Sequence, residues 1–279
     1  FNDNISFDSN IESCLLNPKL VVVAVPSHAT RELMNISSKY FTSETIIINL
    51  SKGLENITLK RMSEVILETT DVDNDRIVSL YGPSHAEEVL LGYPTTLVAA
   101  SSNERSSKLI QEIFSSNILR VYSNKDIKGV ELGGSLKNVI AIAAGICDGI
   151  GFGDNTKAAL LTRGMAEITR LGVEMGAKES TFSGLSGIGD LIATCLSKHS
   201  RNRYVGEEIG KGESLSSILD SMNMVAEGVK TTSSVYDISK KYNLDMPISN
   251  GVYNILFNDN DPKSIVSELM NRDLVNEKI

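Results

Sequence analysis

A regular alternation of short apolar runs with helical segments constrains the fold of this chain more than any other feature. Apolar runs occupy positions 20–25, 45–50, 77–80, 95–100 and 118–121. Between the second and third runs, apolar side chains recur at helical spacing, at Leu59, Met62, Val65 and Ile66. Runs that are apolar on both faces are typical of buried strands in a parallel sheet. The first half of the chain therefore predicts a doubly wound α/β domain.

The strand signals stop after about residue 126, and the second half of the chain shows only helical patterns. Helix starts are indicated at Asn155, Ser200, Pro247 and Pro262, and helix ends at Gly176 and Gly210. We therefore predict two domains, an α/β domain over residues 1–126 and an all-α domain over residues 127–279.

Composition narrows the range of partners. The 279 residues carry 27 basic and 35 acidic side chains, and the formal net charge of −8 disfavours nucleic acid and anionic membranes as partners. No apolar run approaches the roughly 20 residues that a bilayer-spanning helix needs. The 3 cysteines lie far apart and the 3 histidines are isolated, which gives neither a disulfide framework nor a metal-ligand pattern. We expect a cytoplasmic protein without a metal site or a membrane span.

Polar residues follow two neighbouring runs at the edge where an open parallel sheet binds its ligands. Lys52 follows the second run and places a cation there, which favours a phosphate or a carboxylate. Gly82 and Ser84 follow the third run, where the glycine permits a tight turn and the serine offers a hydroxyl. The alternative interpretation is that Ser51-Lys52-Gly53 is only a polar turn.

A lysine on an apolar helical face gives the most specific local signal. In a helix, Lys137 shares a face with Ile140 and Ala141, and the preceding turn contains Gly133 and Gly134. We expect the two glycines to leave space beside the amine for a small molecule. Burial lowers the pKa of a lysine, so Lys137 is a candidate general acid and base. The alternative is a lysine that reaches solvent at a helix edge, with glycines that serve close packing only.

A third cluster combines a glycine-rich loop with a polar helix start. Asp190 lies where the next helix is predicted to begin, and Ser200 has the character of an N-cap. Arg201 and Asn202 would then lie in a first helical turn with free backbone N–H groups, which is a natural anion site. The alternative is an ordinary capped helix with solvated arginines.

Seven segments, taken in order over nearly the whole chain, resemble those of bacterial-type NAD(P)-dependent glycerol-3-phosphate dehydrogenases. They are Val23-Ala-Val-Pro-Ser, Asn49-Leu-Ser-Lys-Gly-Leu-Glu, Gly82-Pro-Ser-His-Ala, Glu131-Leu-Gly-Gly-Ser-Leu-Lys-Asn, Gly149-Ile-Gly-Phe-Gly-Asp-Asn-Thr-Lys-Ala-Ala, Gly187-Ile-Gly-Asp-Leu-Ile-Ala-Thr-Cys and Ser200-Arg-Asn-Arg. The resemblance implies a Rossmann domain followed by an all-α substrate domain. It also implies NAD(H) or NADP(H) as cofactor and a homodimer. The implied reaction interconverts sn-glycerol 3-phosphate and dihydroxyacetone phosphate and supplies glycerophospholipid synthesis.

The resemblance also assigns roles to residues. It makes Lys137 the proton acceptor and Asp190 its carboxylate neighbour, both in contact with substrate. The other substrate-binding positions that it implies are Lys52, Gly82, Ser84, Ser200, Arg201 and Asn202. The positions that it implies for contact with the dinucleotide are Lys52, Ala86, Arg201, Val225 and Glu227.

Two features depart from the family pattern. The family begins with a strand and a glycine-rich turn that binds the pyrophosphate, and we find no such segment after Phe1. We therefore expect about the first βαβ unit to be missing and the dinucleotide to bind poorly. His85 stands where the family usually has an apolar or aromatic residue, and we expect it to adjust a contact.

Two other functions remain open on the sequence. One is a related two-domain dehydrogenase of hydroxy acids or hydroxyacyl thioesters, which the predicted phosphate site disfavours. The other is an inactive binding or dimerisation fragment, which the missing dinucleotide fingerprint would explain.

Overall fold

The computed structural model of the protein describes residues 4–222, 224–274 and 276–277. Phe1, at which the incomplete unit is predicted to start, lies outside these residues. The strands are β1 (Leu20–Val23), β2 (Ile46–Asn49), β3 (Ile77–Tyr81), β4 (Thr95–Ala100) and β5 (Leu119–Asn124). The helices of the first half are α1 (Ile11–Cys14), α2 (Thr30–Ser37), α3 (Met62–Thr69), α4 (Ala86–Leu90) and α5 (Glu104–Phe114). The later helices are α6 (Ile127–Ile150), α7 (Asp154–Glu174), α8 (Glu179–Phe182), α9 (Asp190–Leu196), α10 (Arg201–Lys211), α11 (Leu215–Ser221), α12 (Glu227–Lys241), α13 (Pro247–Phe257) and α14 (Pro262–Met270).

The strands form one mixed sheet in the order β1-β2-β3-β4-β5. All predicted strands are present, but β3 and β4 pair antiparallel, whereas the other neighbours pair parallel. The prediction of a purely parallel sheet is therefore wrong at this pair. A parallel pair needs a crossover helix that packs across the sheet, and α4 has 5 residues, none of them buried. The short connection returns the chain in the opposite direction.

The prediction that the strands are buried on both faces of the sheet is confirmed for the central strands β2 and β3. Every residue of β2 and β3 is buried, as the apolar runs predict. In the edge strand β1, Leu20 and Val22 are 36% and 46% exposed, so the prediction of burial on both faces is wrong there. The site-forming loops follow β2 and β3, the two strands that the core fixes most completely.

The helical half is built around α6, which packs against α7, α9, α10, α12 and α13. By length and composition α6 could cross a bilayer, but its most apolar stretch is wholly buried within the protein, where it forms the core. Strand gives way to helix between Asn124 and Ile127. The division into two domains at residue 126 stays a prediction.

Close packing of α6 and α10 depends on glycines in both helices. A Cβ on Gly145 would lie 1.9 Å from Arg203 O, and a Cβ on Gly206 would lie 2.0 Å from Ile142 O. Real Cβ atoms do not approach a backbone oxygen this closely. The two backbones therefore touch directly, and α6 and α10 cannot shift independently.

Most predicted helix boundaries are confirmed. Ser200 caps α10, Pro247 and Pro262 occupy first turns, α7 begins one residue before Asn155, and Gly176 follows the end of α7 with φ +86°. Gly210 is wrong as a helix end, because α10 continues to Lys211 and stops at Gly212, where φ is +104°. The glycine at 210 serves packing, since its Cβ would lie 2.5 Å from Ile146 O.

The variant Gly145→Ala should lower the free energy of unfolding by about 1–3 kcal/mol or more, because the new methyl group must push α10 away. Denaturant titration measures this change. Gly153→Ala is the control, since a methyl group at that glycine would have no heavy atom of a neighbouring segment within 4 Å. Equal stability losses in the two variants would contradict the packing argument.

Candidate active site

Two lysines from different halves of the chain meet at one buried carboxylate. Lys137 of α6 is 5% exposed, and Asp190, the first residue of α9, is 2% exposed. Lys137 Nζ lies 3.1 Å from Asp190 Oδ1, and Lys52 Nζ lies 2.7 Å from Asp190 Oδ2. Each carboxylate oxygen therefore faces one ammonium group. The structure brings these three predicted residues together. The catalytic roles of Lys137 and Asp190 and the binding role of Lys52 stay predictions.

Thr194 completes this group, although it is not among the residues predicted for the site. The Lys137 amine donates a hydrogen bond to Thr194 Oγ1. The same hydroxyl donates to Asp190 Oδ1 at 3.3 Å. Thr194 lies four residues after Asp190 in α9, so both side chains share one helix face. This spacing is the signal that could have identified it.

The amine of Lys137 is adjusted for proton exchange near neutral pH. Burial lowers the pKa of Lys137 to about 8, the charge of Asp190 opposes this shift, and the charge of Lys52 adds to it. The neighbouring thiol cannot compete, because burial raises the pKa of Cys195 to about 12. A general acid and base works best when its pKa lies near the working pH.

The glycines before Lys137 are covered by protein. A Cβ on Gly133 would lie 2.6 Å from Ser186 O, and a Cβ on Gly134 would lie 2.6 Å from the Tyr81 ring. The expectation that they leave space for a ligand is wrong, because residues 185–189 and β3 fill that space. The alternative of a lysine that reaches solvent is wrong as well, since Lys137 is buried.

The loops after β2 and β3 meet at one edge of the sheet, as predicted. Lys52 Nζ donates to Gly82 O at 2.9 Å, and Ser84 Oγ donates to the same oxygen at 3.3 Å. Gly82 has φ +146°, and a Cβ there would lie 3.0 Å from Thr96 O. Glycine is required for this turn because a side chain would be strained and crowded.

The predicted anion site lies at the start of α10. Ser200 is the N-cap and accepts from Arg203 N at 3.2 Å. Asn202 Oδ1 accepts from Gly228 N at 2.8 Å, which joins α10 to the first turn of α12. Arg201 is exposed and donates to Val225 O at 2.9 Å. Substrate binding by these residues stays a prediction.

Contacts link the turn after β2, which carries Lys52, to Glu227, one of the residues predicted to contact the dinucleotide. The turn after β2 closely approaches the side chains of Ser27 and Glu227. A Cβ added to Gly53, the residue after Lys52, would lie 2.5 Å from Ser27 Oγ and 3.3 Å from Glu227 Oε2. Glu227 accepts from Ser27 N at 2.9 Å and from Ser27 Oγ at 2.6 Å. Carboxylate and hydroxyl groups suit ribose hydroxyls, and the Arg201 cation beside Val225 suits a phosphate. The residues present therefore fit the ribose hydroxyls and a phosphate of a nicotinamide dinucleotide, and their contact with it stays a prediction.

Ala86 and His85 lie at the loop that leads into α4. Ala86 is the exposed first residue of that helix. His85 Nε2 lies 3.4 Å from Ala193 O, and its ring centroid is 6.2 Å from that of His199. Burial lowers the pKa of His85, and the Lys137 charge contributes to this shift. In the part of the chain that the structure describes, no three carboxylate, thiol or imidazole side chains converge as metal ligands.

Comparison with known proteins identifies the family. Residues 1–107 match the sequence profile described as NAD-dependent glycerol-3-phosphate dehydrogenase N-terminus, and residues 126–267 match the corresponding C-terminus profile. The chain belongs to the NAD-dependent glycerol-3-phosphate dehydrogenase family. The resemblance found in the seven segments is thereby confirmed, and so is the Rossmann-type domain followed by a helical domain.

Bacterial members of this family are close relatives. A glycerol-3-phosphate dehydrogenase [NAD(P)+] of Prosthecochloris aestuarii is 53% identical over 274 residues, which cover 98% of this chain and 82% of the relative. One of a Thermoanaerobacter species is 52% identical over 273 residues, 98% of this chain and 82% of that protein. The solved glycerol-3-phosphate dehydrogenase of Coxiella burnetii has a TM-score of 0.90 at 34% identity and covers 98% of this chain and 85% of that chain.

A more distant structure shares the fold alone. A ketopantoate reductase from Ralstonia eutropha has a TM-score of 0.54 at 12% identity, and the match covers 93% of this chain and 79% of that chain. The family profiles and the sequence identities above place the chain among the glycerol-3-phosphate dehydrogenases.

Proposed function

We propose that this protein interconverts sn-glycerol 3-phosphate and dihydroxyacetone phosphate with NAD(H) or NADP(H), and so supplies glycerol 3-phosphate for phospholipid synthesis. The observation that carries the proposal is the Lys137 amine, buried, with a pKa of about 8 and held against Asp190 and Thr194. This is a proton donor and acceptor suited to a carbonyl and alcohol pair.

Lys137 donates or accepts the proton of the reaction, depending on its direction. In reduction of the ketone, the ammonium form donates its proton to the oxygen that develops charge at C2 of the substrate. In oxidation, the neutral amine accepts the proton of the C2 hydroxyl. Asp190 holds the amine of Lys137 through one oxygen and that of Lys52 through the other. Hydride transfer is the chemistry that a bound nicotinamide supplies.

A cation and neutral hydrogen-bonding groups on each side of the site suit the phosphate of the substrate. Lys52 and Ser84 contribute from the sheet edge, and Ser200, Arg201 and Asn202 contribute from the start of α10. A helix N-terminus with an arginine binds phosphate through N–H groups and a bidentate side chain. Binding of the phosphate between these groups is proposed to orient C2 of the substrate toward the amine of Lys137.

Two further properties belong to the proposal. We propose a homodimer, because the resemblance to the family implies one. We also propose a cytoplasmic location, which the widely spaced cysteines support, since Cys147 and Cys195 are free and buried in the core.

The pH dependence should have opposite signs in the two directions. Lys137 must carry a proton to reduce the ketone, so kcat/KM for reduction should fall as pH rises through about 8. It must be neutral to oxidise the alcohol, so kcat/KM for oxidation should rise through the same pH. Rates measured above about pH 7 avoid the phosphate titration near pH 6. Profiles with the same sign in both directions would contradict the role of Lys137.

Arg201→Ala should raise KM for dihydroxyacetone phosphate by about 10–100-fold, the loss expected for one charged hydrogen bond to a phosphate. KM for the dinucleotide should rise too, and kcat should change much less. Steady-state kinetics with each substrate varied measures both. Arg105→Ala, at an exposed position in α5, is the control. An unchanged KM in Arg201→Ala would remove the phosphate site.

The function is tested by following oxidation of NADH and of NADPH by the native protein. Three oxidants are compared: dihydroxyacetone phosphate, a 2-oxo acid and an acetoacetyl thioester. We expect turnover with dihydroxyacetone phosphate. Turnover with either of the others in its place would assign the related dehydrogenase class. No turnover with any oxidant would favour the binding fragment and contradict the proposal.

A further inference from the structure

A second buried carboxylate lies in α6, 6 residues before Lys137. Glu131 is 1% exposed, and both of its oxygens are fully engaged. Oε1 accepts from Ser63 N at 2.9 Å, from Ser79 Oγ at 2.9 Å and from Asn49 Nδ2 at 3.4 Å. Oε2 accepts from Ser63 Oγ and from Arg61 NH1, each at 2.6 Å. The carboxylate thus ties α6 to β2, β3 and the start of α3.

Such an ion pair is costly to build. Arg61, the counter-ion of Glu131, is 6% exposed, so both charges have left water. Buried pairs of this kind are poor evidence for added stability, because apolar residues often stabilise a core as well. A geometric role is the better explanation when the partners lead to a functional group. Here they lead to Lys52.

The path to Lys52 runs through the Asn49 side chain. A carboxylate only accepts hydrogen bonds, so Glu131 turns the amide nitrogen of Asn49 toward itself. The amide oxygen of Asn49 then accepts from Ser51 N at 3.0 Å. Asn49 Nδ2 also donates to Tyr81 OH at 2.9 Å, and that hydroxyl donates to Ser51 O. Both backbone groups of Ser51, the residue before Lys52, are therefore fixed by this network.

Lys52 leaves that turn with its side chain aimed at the active site. Its amine contacts Asp190 Oδ2 at 2.7 Å and Gly82 O at 2.9 Å, and lies 5.7 Å from the centre of the Tyr81 ring. We propose that Glu131 is a positioning residue of the reaction, which holds Lys52 at Asp190 through Asn49 and Ser51. This inference rests on the proposed function of the Lys137 site.

The titration of Lys137 gives a readout that a merely structural role would not move. Lys137 faces Asp190 and Cys195 of α9, Lys52 after β2 and His85 after β3. If Lys52 leaves Asp190, a positive charge beside Lys137 is removed and the Asp190 carboxylate pairs with Lys137 alone. Both changes favour the charged form of Lys137, so the midpoint of its titration rises. Removal of the Glu131 charge alone would lower that midpoint. The two explanations therefore predict shifts of opposite sign.

The experiment follows the Cε signal of Lys137 by NMR in the native protein, without substrate or dinucleotide. We expect the midpoint to rise by about one pH unit in Glu131→Gln, in the same direction as in Lys52→Met. Turnover in Glu131→Gln should fall about tenfold in kcat/KM. Because the titration needs no turnover, failure of the proposed function would not hide the answer on Glu131.

Glu167→Gln is the matched control. Glu167 is 3% exposed and caps α13 by accepting from Ile248 N at 2.6 Å and Ser249 N at 3.0 Å. Its partners therefore differ from those of Lys137 and Lys52. The variant Glu167→Gln should lower the free energy of unfolding and leave the titration midpoint of Lys137 at its wild-type value. If Glu131→Gln does not fold, Asn49→Ala replaces it, because that change cuts the path and leaves Arg61 paired with Glu131. The proposal is overturned if Lys52→Met raises the midpoint of Lys137 while Glu131→Gln, or Asn49→Ala in its place, leaves that midpoint unchanged or lowers it.

Discussion

Lys137→Ala should lower kcat by about 10²–10⁴-fold in both directions, which is the usual contribution of a general acid and base. The fold should persist, because Asp190 keeps Lys52 as its ion partner at 2.7 Å and a desolvated ammonium group is removed from the core. Steady-state rates and thermal unfolding, measured on the same samples, separate loss of chemistry from loss of structure.

Lys157→Ala is the matched control for this variant. Lys157 is paired with Asp148 and its side chain is 18% exposed, but no role in proton transfer is proposed for it. Its removal should leave kcat within a few-fold of wild type. If Lys137→Ala turned over at a rate similar to that of Lys157→Ala, the proton would have to come from another group.

Asp190→Asn should have the next largest effect. The change removes the one negative charge between Lys137 and Lys52, so the pKa of Lys137, already lowered by burial, should fall further below 8. The amine would then be neutral at pH 7 and unable to donate, so we expect kcat for ketone reduction to fall about 10²-fold, or about 2.7 kcal/mol. The free energy of unfolding should drop by about 3–5 kcal/mol, because the buried Lys137 loses its ion partner and the half-buried Lys52 keeps only its contact with Gly82 O.

Asp126→Asn tests whether that loss is specific. Asp126 is a buried N-cap of α6 that accepts from Gly129 N at 3.0 Å and from Lys178 N at 2.9 Å. It lies about three helical turns before Lys137. The variant should lose stability without losing kcat. Asp190→Asn with kcat within about twofold of wild type would show that the carboxylate only supports the fold.

Much of the fold can be predicted from the sequence because apolar patterning and helix caps act locally. The runs of β2 and β3 are apolar throughout most of their length, and each lies buried in the sheet. The antiparallel turn between β3 and β4 could not be predicted in this way, since strand direction depends on the connection and α4 leaves no periodic signal in 5 residues. The role of Gly210 depends on a partner helix distant in sequence, and no local rule reveals such contact.

In the candidate site too, local sequence signals could be predicted and contacts between distant segments could not. Lys137 and Asp190 could be singled out because a cation on an apolar helical face and a carboxylate at a helix start are visible in one segment each. The contact of Asp190 with Lys52 joins residues 138 positions apart and follows only from the fold. Glu131 and Asn49 could not be assigned roles, because the network that joins them spans four elements and has no spacing rule.

Direct titration of the Lys137 amine by NMR tests the central claim of this account. Lysine labelled at Cε gives one signal per side chain, and the signal that disappears in Lys137→Ala identifies the group. We expect a midpoint near pH 8, matching the inflection of kcat/KM in both directions. A midpoint near 10.5, the ordinary value for a lysine, would contradict the claim that this amine exchanges the proton of the reaction.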